Sequence, residues 1–399
     1  MHKEVNLTIK PQYTDEYKSG YPLITKESIA NFDKIVSEGT IINLFDNNKK
    51  FICKGYHGNQ NKGHGWVLSS TLTEKIDVSY FVSKIKAAIV YRADFYNDVN
   101  TTAFRVFNGE GDGVGGLTID FYEKYYLVTW YSIGIYTLKD TILDALKSCV
   151  DFKGIYQKKR FDAKGQYKDD ADDFICGEKA PTPLIVKESG ENFAVHLDDG
   201  PMVGVFLDQR DVRKTIRDKY AKGKTVLNTF SYTGAFSVFA ACGKSQKTTS
   251  VDLANRSRTK TKEQFNVNNI NVEDQDIVVD DIFNYFKFAI KKQLRFDIVV
   301  LDPPSFARSK KRTFSAAKDY TNLLKDAIAI TNKNGIIVAS TNCANFGIMT
   351  FRDFISKAFR ESNKKYKIEE TFFLPKDFKV CDEFQESSYL KVVFIRKLN

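Results

Sequence analysis

The hydrophobic and polar positions of the chain alternate regularly from about residue 190 onward. Short apolar runs typical of buried strands alternate with segments of helical character, and this order predicts an α/β fold with a doubly wound, mostly parallel sheet. The predicted strands are KTVLNTF, KTTSVD, QDIVVD, FDIVVLD, GIIVAST, KIEETFF and YLKVVFIR. The predicted helices begin near Gly234, Asn255, Asp281, Ala316 and Thr350. No helix separates the last two strands, so we expect the final strand to join the sheet antiparallel.

The preceding residues lack this alternation and divide into two regions. Residues 1–75 contain short strand-like runs separated by Gly, Asn and Lys, which predicts a small β-rich domain. Residues 76–185 open with a helical segment and continue into strands, which predicts a central α+β domain. Residues 186–399 then form the third predicted domain, which carries the parallel sheet.

Two segments carry turn signals. The glycine-rich residues 108–116 look like a phosphate-binding loop, but a dinucleotide loop follows a strand and opens a helix, whereas this segment opens the strand LTIDF. We therefore interpret it as a turn. The segment ENFAVHLDDGPMVGVFLDQR, residues 191–210, is expected to form two strands around an Asp-Gly turn.

Composition indicates the class of partner and the compartment. Sixty Lys and Arg against 50 Asp and Glu give a formal net charge of +10, which favours a polyanionic partner such as nucleic acid. The six cysteines form no CxxC pair, so neither a zinc site nor a disulfide framework is predicted. No apolar run approaches the roughly 18 residues of a membrane span. We therefore expect a cytoplasmic protein without a membrane partner.

Polar residues follow the predicted strands, where the carboxyl ends of a parallel sheet bind ligands. The segment NTFSYTGAFS after the first strand turns directly into a helix and can present backbone N–H groups to a carboxylate. The next three strands end at Asp252, at Asp281 and at Asp302. One such residue is commonly a helix cap, but an array of them predicts a nucleoside site. The first loop lacks both the glycines of a dinucleotide loop and the GKS or GKT of a P-loop, which leaves S-adenosylmethionine as the leading ligand.

Four motifs, RVFNGEGDGVGGLTIDFY, FLDQRDVR, VLNTFSYTGAFS and LDPPSFARSK, resemble those of one family. This family is the bacterial 23S rRNA methyltransferases of the RlmI and RlmK groups, and the resemblance covers nearly the whole chain. It implies an RNA-binding PUA domain, a central α+β domain and a class I, Rossmann-like methyltransferase domain. It also implies S-adenosylmethionine as cofactor and 23S rRNA or a large-subunit precursor particle as substrate. The sequence leaves a homodimer open.

The resemblance further implies roles for residues at matching motif positions. Cofactor-binding roles fall on Asp208, Gln209 and Arg210 at the pocket entrance, on Asn228, Phe230, Tyr232, Thr233 and Gly234 at the methionine end, on Asp252 at the ribose, and on Asp281 at the adenine edge. Asp302 opens the Asp-Pro-Pro motif beside the methyl group.

The rest of the LDPPSFARSK motif has the composition of a surface that receives a base. Pro303 and Pro304 are expected to stiffen the turn and to hold its carbonyls towards the pocket. Phe306 is expected to stack on a base extruded from its helix. The cations that follow are expected to hold RNA phosphates, namely Arg308, Lys310, Lys311 and Arg312.

The segment GIIVASTNCANFG bears on which atom is methylated. The RlmI group makes 5-methylcytosine with a cysteine that adds to carbon-6, and Asn342 occupies the corresponding position here. Cys343 comes one residue later, which turns its side chain to the other face of a strand. The RlmK group has asparagine in this region and methylates guanine N7, whose own lone pair makes positioning sufficient.

We therefore expect methylation of guanine N7 in 23S rRNA, with Asp302 and Asn342 orienting the base. The alternative is 5-methylcytosine formation with Cys343 as nucleophile. A non-catalytic RNA-binding assembly factor is disfavoured because the predicted pocket keeps its carboxylates. A small-molecule methyltransferase would leave the basic N-terminal domain unexplained.

Overall fold

The computed structural model describes residues 3–35, 37–60, 63–161, 173–308 and 313–399. The chain groups into two compact units. Unit 1 comprises Met1–Leu184, His196–Val203 and Lys376–Ser387. Unit 2 comprises Ile185–Val195, Gly204–Pro375 and Ser388–Asn399. The division into domains at residues 75 and 185 stays a prediction.

Two five-stranded sheets form the described part of unit 1. The strands of the first are β1 (Glu4–Thr8), β2 (Leu23–Ile24), β3 (Ile41–Phe45), β4 (Phe51–His57) and β5 (Gly65–Ser69), in the order β1-β3-β4-β5-β2. The strands of the second are β6 (Ala103–Asn108), β7 (Leu117–Tyr122), β8 (Tyr125–Trp130), β9 (Gly154–Lys159) and β10 (Phe174–Gly177), in the order β10-β9-β8-β7-β6. The helices are α1 (Thr14–Lys18), α2 (Val78–Tyr91), α3 (Ala93–Tyr96), α4 (Ile133–Tyr136) and α5 (Lys139–Cys149).

The glycine-rich segment of unit 1 is a turn, as predicted. It forms a short 3₁₀ helix over Gly109–Asp112 and leads into β7. The Asp112 carboxylate accepts two hydrogen bonds from the buried Arg92 guanidinium, at 3.0 and 2.7 Å. Because the segment opens a strand and its carboxylate is already paired with an arginine, it has a structural role in unit 1.

The remaining strands include the seven-stranded sheet of unit 2. They are β11 (Leu184–Glu188), β12 (Glu191–Val195), β13 (Thr225–Thr229), β14 (Lys247–Asp252), β15 (Asp276–Val279), β16 (Phe296–Leu301), β17 (Phe306–Arg308), β18 (Thr313–Ser315), β19 (Thr331–Thr341), β20 (Tyr366–Phe372) and β21 (Lys391–Lys397). The large sheet has the order β15-β14-β13-β16-β19-β21-β20, and β21 is antiparallel to both neighbours. The seven predicted strands and the antiparallel final strand are confirmed.

Helices cover both faces of this sheet. They are α6 (Arg210–Thr215), α7 (Ala235–Cys242), α8 (Asn255–Asn266), α9 (Ile282–Lys291), α10 (Ala316–Ile330) and α11 (Ile348–Glu361). Along β16, Val299 and Leu301 belong to one hydrophobic cluster, and Ile298 and Val300 belong to another. A central strand buried on both faces therefore has the continuous apolar sequence seen in FDIVVL. In the part of the chain that the structure describes, no helix is long and apolar enough to cross a membrane.

Residues 191–210 were expected to form two paired strands. The first is β12, but the second prediction is wrong, since the described residues after β12 up to residue 210 form no strand. β12 pairs instead with the preceding β11, and Ser189 and Gly190 between them both have positive φ, at 49° and 93°. Two central residues with positive φ are typical of a tight hairpin turn. Pro201 cannot donate to a strand ladder, and across the expected Asp-Gly turn the His196 N–H donates to the Val203 carbonyl at 2.8 Å.

Candidate active site

A cavity of about 410 Å³ lies in unit 2 at the carboxyl ends of the parallel strands. The residues after β13, β14, β15, β16 and β19 line it, together with the segment that leads into α6. The strand order reverses between β13 and β16, and such a switch point is where open α/β sheets bind ligands. The volume is within the range of small-molecule and cofactor sites.

The loop after β13 has an unusual backbone conformation. Phe230, Tyr232 and Gly234 have positive φ, at 55°, 52° and 83°. A side chain with positive φ is strained, so the surrounding structure must hold the loop in place. Tyr232 N–H donates to Asp252 Oδ2 at 2.9 Å, and Thr233 Oγ1 donates to the Gly204 carbonyl at 2.6 Å. Phe230, Tyr232 and Thr233 all line the cavity.

Gly234 and Asn228 support this loop from outside the cavity lining. Besides its positive φ, a Cβ on Gly234 would lie 2.6 Å from Thr261 Cγ2, so only glycine fits there. Asn228 is buried, and its Nδ2 donates to Ser237 Oγ at 3.1 Å. The structure therefore does not bring these two residues of the expected methionine site to the cavity surface.

Asp252 lines the cavity at the end of β14. Its Oδ2 accepts from Tyr232 N–H and its Oδ1 accepts from Ala254 N–H, both at 2.9 Å. These two bonds fix the carboxylate, and each oxygen has a second lone pair for a ligand hydroxyl.

Asp281 lines the same cavity and also caps a helix. Its Oδ1 accepts from Phe283 N–H at 2.9 Å and from Asn284 N–H at 3.4 Å at the start of α9. The capping interpretation and the ligand interpretation of this residue are therefore compatible, since Oδ2 takes no part in the cap.

Asp302 follows β16 and is held by side chains rather than by backbone. Its Oδ1 accepts from Ser340 Oγ at 2.7 Å and from Gln209 Nε2 at 3.1 Å. Gln209 Nε2 also lies 2.8 Å from Ser340 Oγ, and Tyr320 OH donates to the Ser340 carbonyl at 2.6 Å. The result is a buried network that joins the segment before α6, the residue after β16, β19 and α10.

The pKa of Asp302 is raised by its surroundings. Burial is the main cause, the nearby Asp208 carboxylate adds to it, and together they raise the pKa of Asp302 to about 6 against the lowering effect of Ser340. Asp208 itself lines the cavity and accepts from Tyr389 OH at 2.9 Å. A carboxyl with a pKa this close to neutrality in a cavity is typical of a functional site.

The expected entrance arginine is Arg210, but Arg213 is the arginine that lines the cavity. Arg213 is buried, and its Nε and Nη2 donate to the two oxygens of Glu188 at 2.7 and 2.8 Å. Arg210 is also buried but is absent from the cavity lining in the described chain. Both arginines belong to the FLDQRDVR motif, so the motif located the segment and helical periodicity could have indicated the second arginine.

Aromatic residues of the cavity wall were missed in the sequence. Phe206 lines the cavity and packs against Tyr232 with ring centroids 5.3 Å apart. Phe283 and Phe314 also line the cavity, and their ring centroids are 6.0 Å apart. Phe206 directly precedes the LDQR segment, whereas Phe314 has no local signal because the hairpin β17-β18 brings it to the wall.

The Asp-Pro-Pro turn lies at the cavity. Pro303 and Pro304 line the cavity, whereas Phe306 in β17 does not and has 63% of its surface exposed. Ala307 lines the cavity instead. Of the four expected phosphate-binding residues, Arg308 is described by its backbone in β17, and Lys310, Lys311 and Arg312 lie outside the described residues.

Asn342 and Cys343 point to different environments. Asn342 lines the cavity, and its Oδ1 accepts from Ser305 Oγ at 2.5 Å. Cys343 is 5% exposed and belongs to the same hydrophobic cluster as Tyr320 and Phe351. Its carbonyl accepts from Lys391 Nζ at 2.8 Å. The cavity therefore receives the asparagine, and the hydrophobic core receives the cysteine.

The residues present fit S-adenosylmethionine. Asp252 and Asp281 offer free lone pairs to hydroxyl and amino groups, and the apolar wall offers surface to an adenine ring. The cavity is lined by four carboxylates, Asp208, Asp252, Asp281 and Asp302, which suits a ligand with a sulfonium cation. A buried acceptor, Gln209 Oε1, has no partner among the described residues and requires a donor.

Comparisons with known proteins show the family to which the chain belongs. A family model of S-adenosylmethionine-dependent methyltransferases matches residues 106–392, and a model of PUA-like domains matches residues 7–70. The crystal structure of SMU.776, provisionally named a methyltransferase and solved with S-adenosylhomocysteine (SAH), is 36% identical with a TM-score of 0.90 and covers 99% of this chain and 100% of that one.

Two relatives carry more specific names. YwbD of Bacillus subtilis (strain 168), provisionally named a ribosomal RNA large subunit methyltransferase, is 56% identical over 98% of this chain and 99% of its own length. Ribosomal RNA large subunit methyltransferase I of Yersinia pseudotuberculosis serotype O:1b (strain IP 31758) is 27% identical over 93% of this chain and 94% of its own length. The fold class and the resemblance predicted from the motifs are confirmed, and the chain belongs to the S-adenosylmethionine-dependent methyltransferases, with a PUA-like domain and S-adenosylmethionine as its cofactor.

Proposed function

We propose that the protein methylates N7 of a guanosine in the 23S rRNA of the large ribosomal subunit. The names of the relatives YwbD and ribosomal RNA large subunit methyltransferase I support the class of substrate. A formal net charge of +10 and a PUA-like domain fit an RNA partner in the cytoplasm.

The observation that carries the choice of N7 is the arrangement after β19. Methylation of cytosine C5 requires a thiolate beside the base, since carbon-5 is a poor nucleophile until a cysteine adds to carbon-6. Cys343 is buried in the hydrophobic core, and Asn342 takes the place on the cavity wall. Guanine N7 has its own lone pair and needs only to be placed against the methyl donor.

The polarity of Asn342 supports guanine as well. Its Oδ1 accepts from Ser305 Oγ, which leaves the Nδ2 group as a donor for a ligand. On guanine, the atom beside N7 on the same edge is the acceptor O6, whereas the group beside C5 of cytosine is the donor N4–H₂. A donor next to the reacting position therefore fits guanine better than cytosine.

The other residues of the Asp-Pro-Pro region have complementary roles in this proposal. S-adenosylmethionine supplies the methyl group. Pro303 and Pro304 hold a rigid turn on the cavity wall. Asp302 places a carboxylate where positive charge arrives on the guanine ring, and an ionised carboxylate in a buried site stabilises that charge. The exposed Phe306 offers a surface on which an extruded base or its neighbour can stack.

The proposal also assigns RNA contacts outside the cavity. Arg308, Lys310, Lys311 and Arg312 follow Phe306 in sequence and would bind phosphates next to the target nucleotide. The division into an RNA-binding domain over residues 1–75, a central domain over 76–185 and a catalytic domain over 186–399 is part of the same proposal.

The direct test is mass spectrometry of nucleosides from 23S rRNA, in cells with and without the gene. We expect 7-methylguanosine to decrease in the deficient cells and to return when the deficient rRNA is treated with purified protein and S-adenosylmethionine. If 5-methylcytosine changes instead, the N7 assignment is wrong and cytosine C5 is the target.

A pair of variants tests the same choice in vitro. Cys343→Ser should keep activity within about twofold, because a buried thiol outside the cavity takes no part in the reaction. Asn342→Ala should lower activity by about 10-fold or more, since it removes a donor from the cavity wall. Loss of activity in Cys343→Ser with SAH affinity intact would contradict the proposal and assign Cys343 as the nucleophile.

A further inference from the structure

Helix α8 of unit 2 carries an exposed face of positive charge. Its cations Arg256, Arg258 and Lys262 are exposed to solvent. None of these three has a hydrogen bond or an ion pair with any residue that the structure describes. The helix has a single acidic residue, Glu263, whose carboxylate lies 3.8 Å from Lys260 Nζ. The three exposed cations therefore have no counter-charge on their own helix.

This arrangement of charge opposes helix formation. Residues four apart on a helix are neighbours, so Arg256 with Lys260 and Arg258 with Lys262 form two like-charge pairs. A cation is also unfavourable at the positive end of the helix dipole, and Arg256 lies in the first turn. In α9, by contrast, Lys291 lies in the last turn, where a cation is favourable. Local rules that are broken without a structural gain are typical of functional positions.

α8 begins at the edge of the sheet where the cavity lies. It follows β14, and Asp252 and Leu253 just before it line the cavity. Leu253 is 59% exposed, so this rim of the cavity is at the protein surface. A helix that follows a strand of a parallel sheet starts at the carboxyl edge and runs back towards the amino edge. Arg256 and Arg258 are therefore next to the cavity rim, and Lys262 lies about 6 Å beyond Arg258 along the helix axis.

We propose that Arg256, Arg258 and Lys262 bind phosphates of the RNA strand whose target nucleotide enters the cavity. The inference rests on the proposed methylation of rRNA and adds a contact surface on the β14 side of the cavity. The guanidinium groups match phosphate oxygens with paired donors, and the lysine supplies a point charge. Binding of phosphates removes the repulsion within the two like-charge pairs, which explains why α8 tolerates them.

The same cations fit RNA better than an anionic membrane. A helix that lies on a membrane combines cations with large apolar side chains on its other face. The structure describes α8 in full, and this helix exposes no large apolar side chain. Its buried positions include the polar Ser257, Thr261 and Gln264. The face is therefore electrostatic without an apolar component, as phosphate contacts require.

The salt dependence of RNA binding tests the proposal. A fragment of rRNA from the deficient cells is titrated at several salt concentrations with the wild-type protein and with the triple variant Arg256→Gln, Arg258→Gln and Lys262→Gln. The slope of log affinity against log salt should become shallower by about 2, since each phosphate contact on a single strand contributes about 0.7. An unchanged slope in the variant, with normal binding by the wild type, would overturn this inference alone. A wild-type protein that does not bind the rRNA would overturn the proposed function and this inference with it.

Two further variants serve as controls. The triple variant Lys291→Gln, Lys292→Gln and Arg295→Gln removes three exposed cations at the end of α9 and before β16, at the amino edge of the sheet. It should keep the slope, and an equal loss there would show an effect of net charge and overturn the assignment to α8. The double variant Arg256→Lys and Arg258→Lys keeps the charge and should also keep the slope. A slope lost in this double variant would overturn the role of charge.

Methylation kinetics separate a phosphate contact from a structural effect. In the triple variant of α8, the KM for rRNA should rise about 10-fold, while kcat and the affinity for SAH stay within about twofold of wild type. The thermal unfolding midpoint should not fall, because two like-charge pairs are removed. A lower kcat together with weaker SAH binding would show a disturbed cavity and would overturn the assignment. Vesicles of phosphatidylglycerol test the membrane, and vesicle binding that is lost in the variant while the RNA slope is unchanged would also overturn it.

Discussion

The two sides of the cavity hold their carboxylates by different means. On the side of β14 and β15, Asp252 and Asp281 each accept two hydrogen bonds from backbone N–H groups. On the side of β16 and β19, Asp302 accepts from the side chains of Ser340 and Gln209. The backbone donors hold Asp252 and Asp281 in place, whereas burial and the nearby Asp208 carboxylate raise the pKa of Asp302 to about 6, against the lowering effect of its hydrogen bonds from Ser340 and Gln209.

We propose that this difference separates a site for cofactor binding from a site for chemistry. Carboxylates fixed by the local backbone form a rigid acceptor surface, which suits a cofactor that must bind in one geometry. A carboxylate whose pKa lies near neutrality is costly to keep ionised and is retained where its charge is used. We therefore expect substitutions on the two sides to have different consequences for catalysis, cofactor affinity and stability.

The largest expected effect is that of Asp302→Asn. It removes the carboxylate next to the proposed methyl acceptor and should lower the methylation rate by about 100-fold or more, the usual cost of losing one electrostatic stabiliser. The same change should raise the unfolding free energy at pH 7 by about 2 kcal/mol, because it removes a buried charge whose pKa is raised. The measurements are single-turnover methylation of deficient rRNA and thermal unfolding. A variant that is less active and less stable would show that Asp302 is structural.

The pH dependence of methylation gives the next largest effect. With a pKa of about 6, Asp302 is mostly ionised at pH 7 and mostly protonated at pH 5. If the ionised form acts, the single-turnover rate should fall about 10-fold between these pH values. Stability changes in the opposite direction, because a raised pKa means that the folded state binds the extra proton and loses stability as pH rises through about 6. A rate that is flat over this range would exclude Asp302 as the charged group.

The same contrast explains what the sequence could predict. Asp252 and Asp281 were found at strand ends because their donors lie close by in the chain or in the adjacent loop. Asp302 was found in the Asp-Pro-Pro motif, but its partners are 38 and 93 residues away, so neither its network nor its pKa has a local signal. The seven strands follow from apolar runs of a buried sheet.

Other features depended on helical phase or on tertiary packing. The motif FLDQRDVR predicted Arg210 at the entrance, and the cavity is lined by Arg213, because the phase of a helix that begins inside a motif is fixed by packing. The hairpin of β11 and β12 was missed, since the turn was expected at Asp199-Gly200 and lies at Ser189-Gly190. Phe314 reaches the cavity through a hairpin that local sequence does not specify.

On the side of β14 and β15, Asp252→Asn should lower the affinity for SAH by about 10-fold. The reason is that one carboxylate oxygen becomes an NH₂ group, which cannot accept a hydrogen bond from a hydroxyl. Loss of the hydrogen bond from Tyr232 N–H would also disturb the strained loop after β13. Titration of SAH should therefore be paired with thermal unfolding. Methylation at saturating cofactor should stay within about threefold of wild type, and a large loss there would contradict the separation of binding from chemistry.

The smallest effect is expected for Asp281→Asn. This variant tests whether Asp281 binds the ligand or only caps α9. Asparagine is as good a helix cap as aspartate, so the bonds to Phe283 and Asn284 N–H should persist and stability should change little. The oxygen that faces away from the cap becomes an NH₂ group, and the affinity for SAH should fall by about threefold.

Asp281→Ala should in addition lose about 1 kcal/mol of folding stability, because the cap is removed. If the two variants lower the affinity for SAH equally and only the alanine variant is less stable, Asp281 both caps α9 and binds the ligand. If Asp281→Asn binds SAH as the wild type does, its carboxylate is a helix cap alone, and Asp252 remains the binding carboxylate on that side of the cavity.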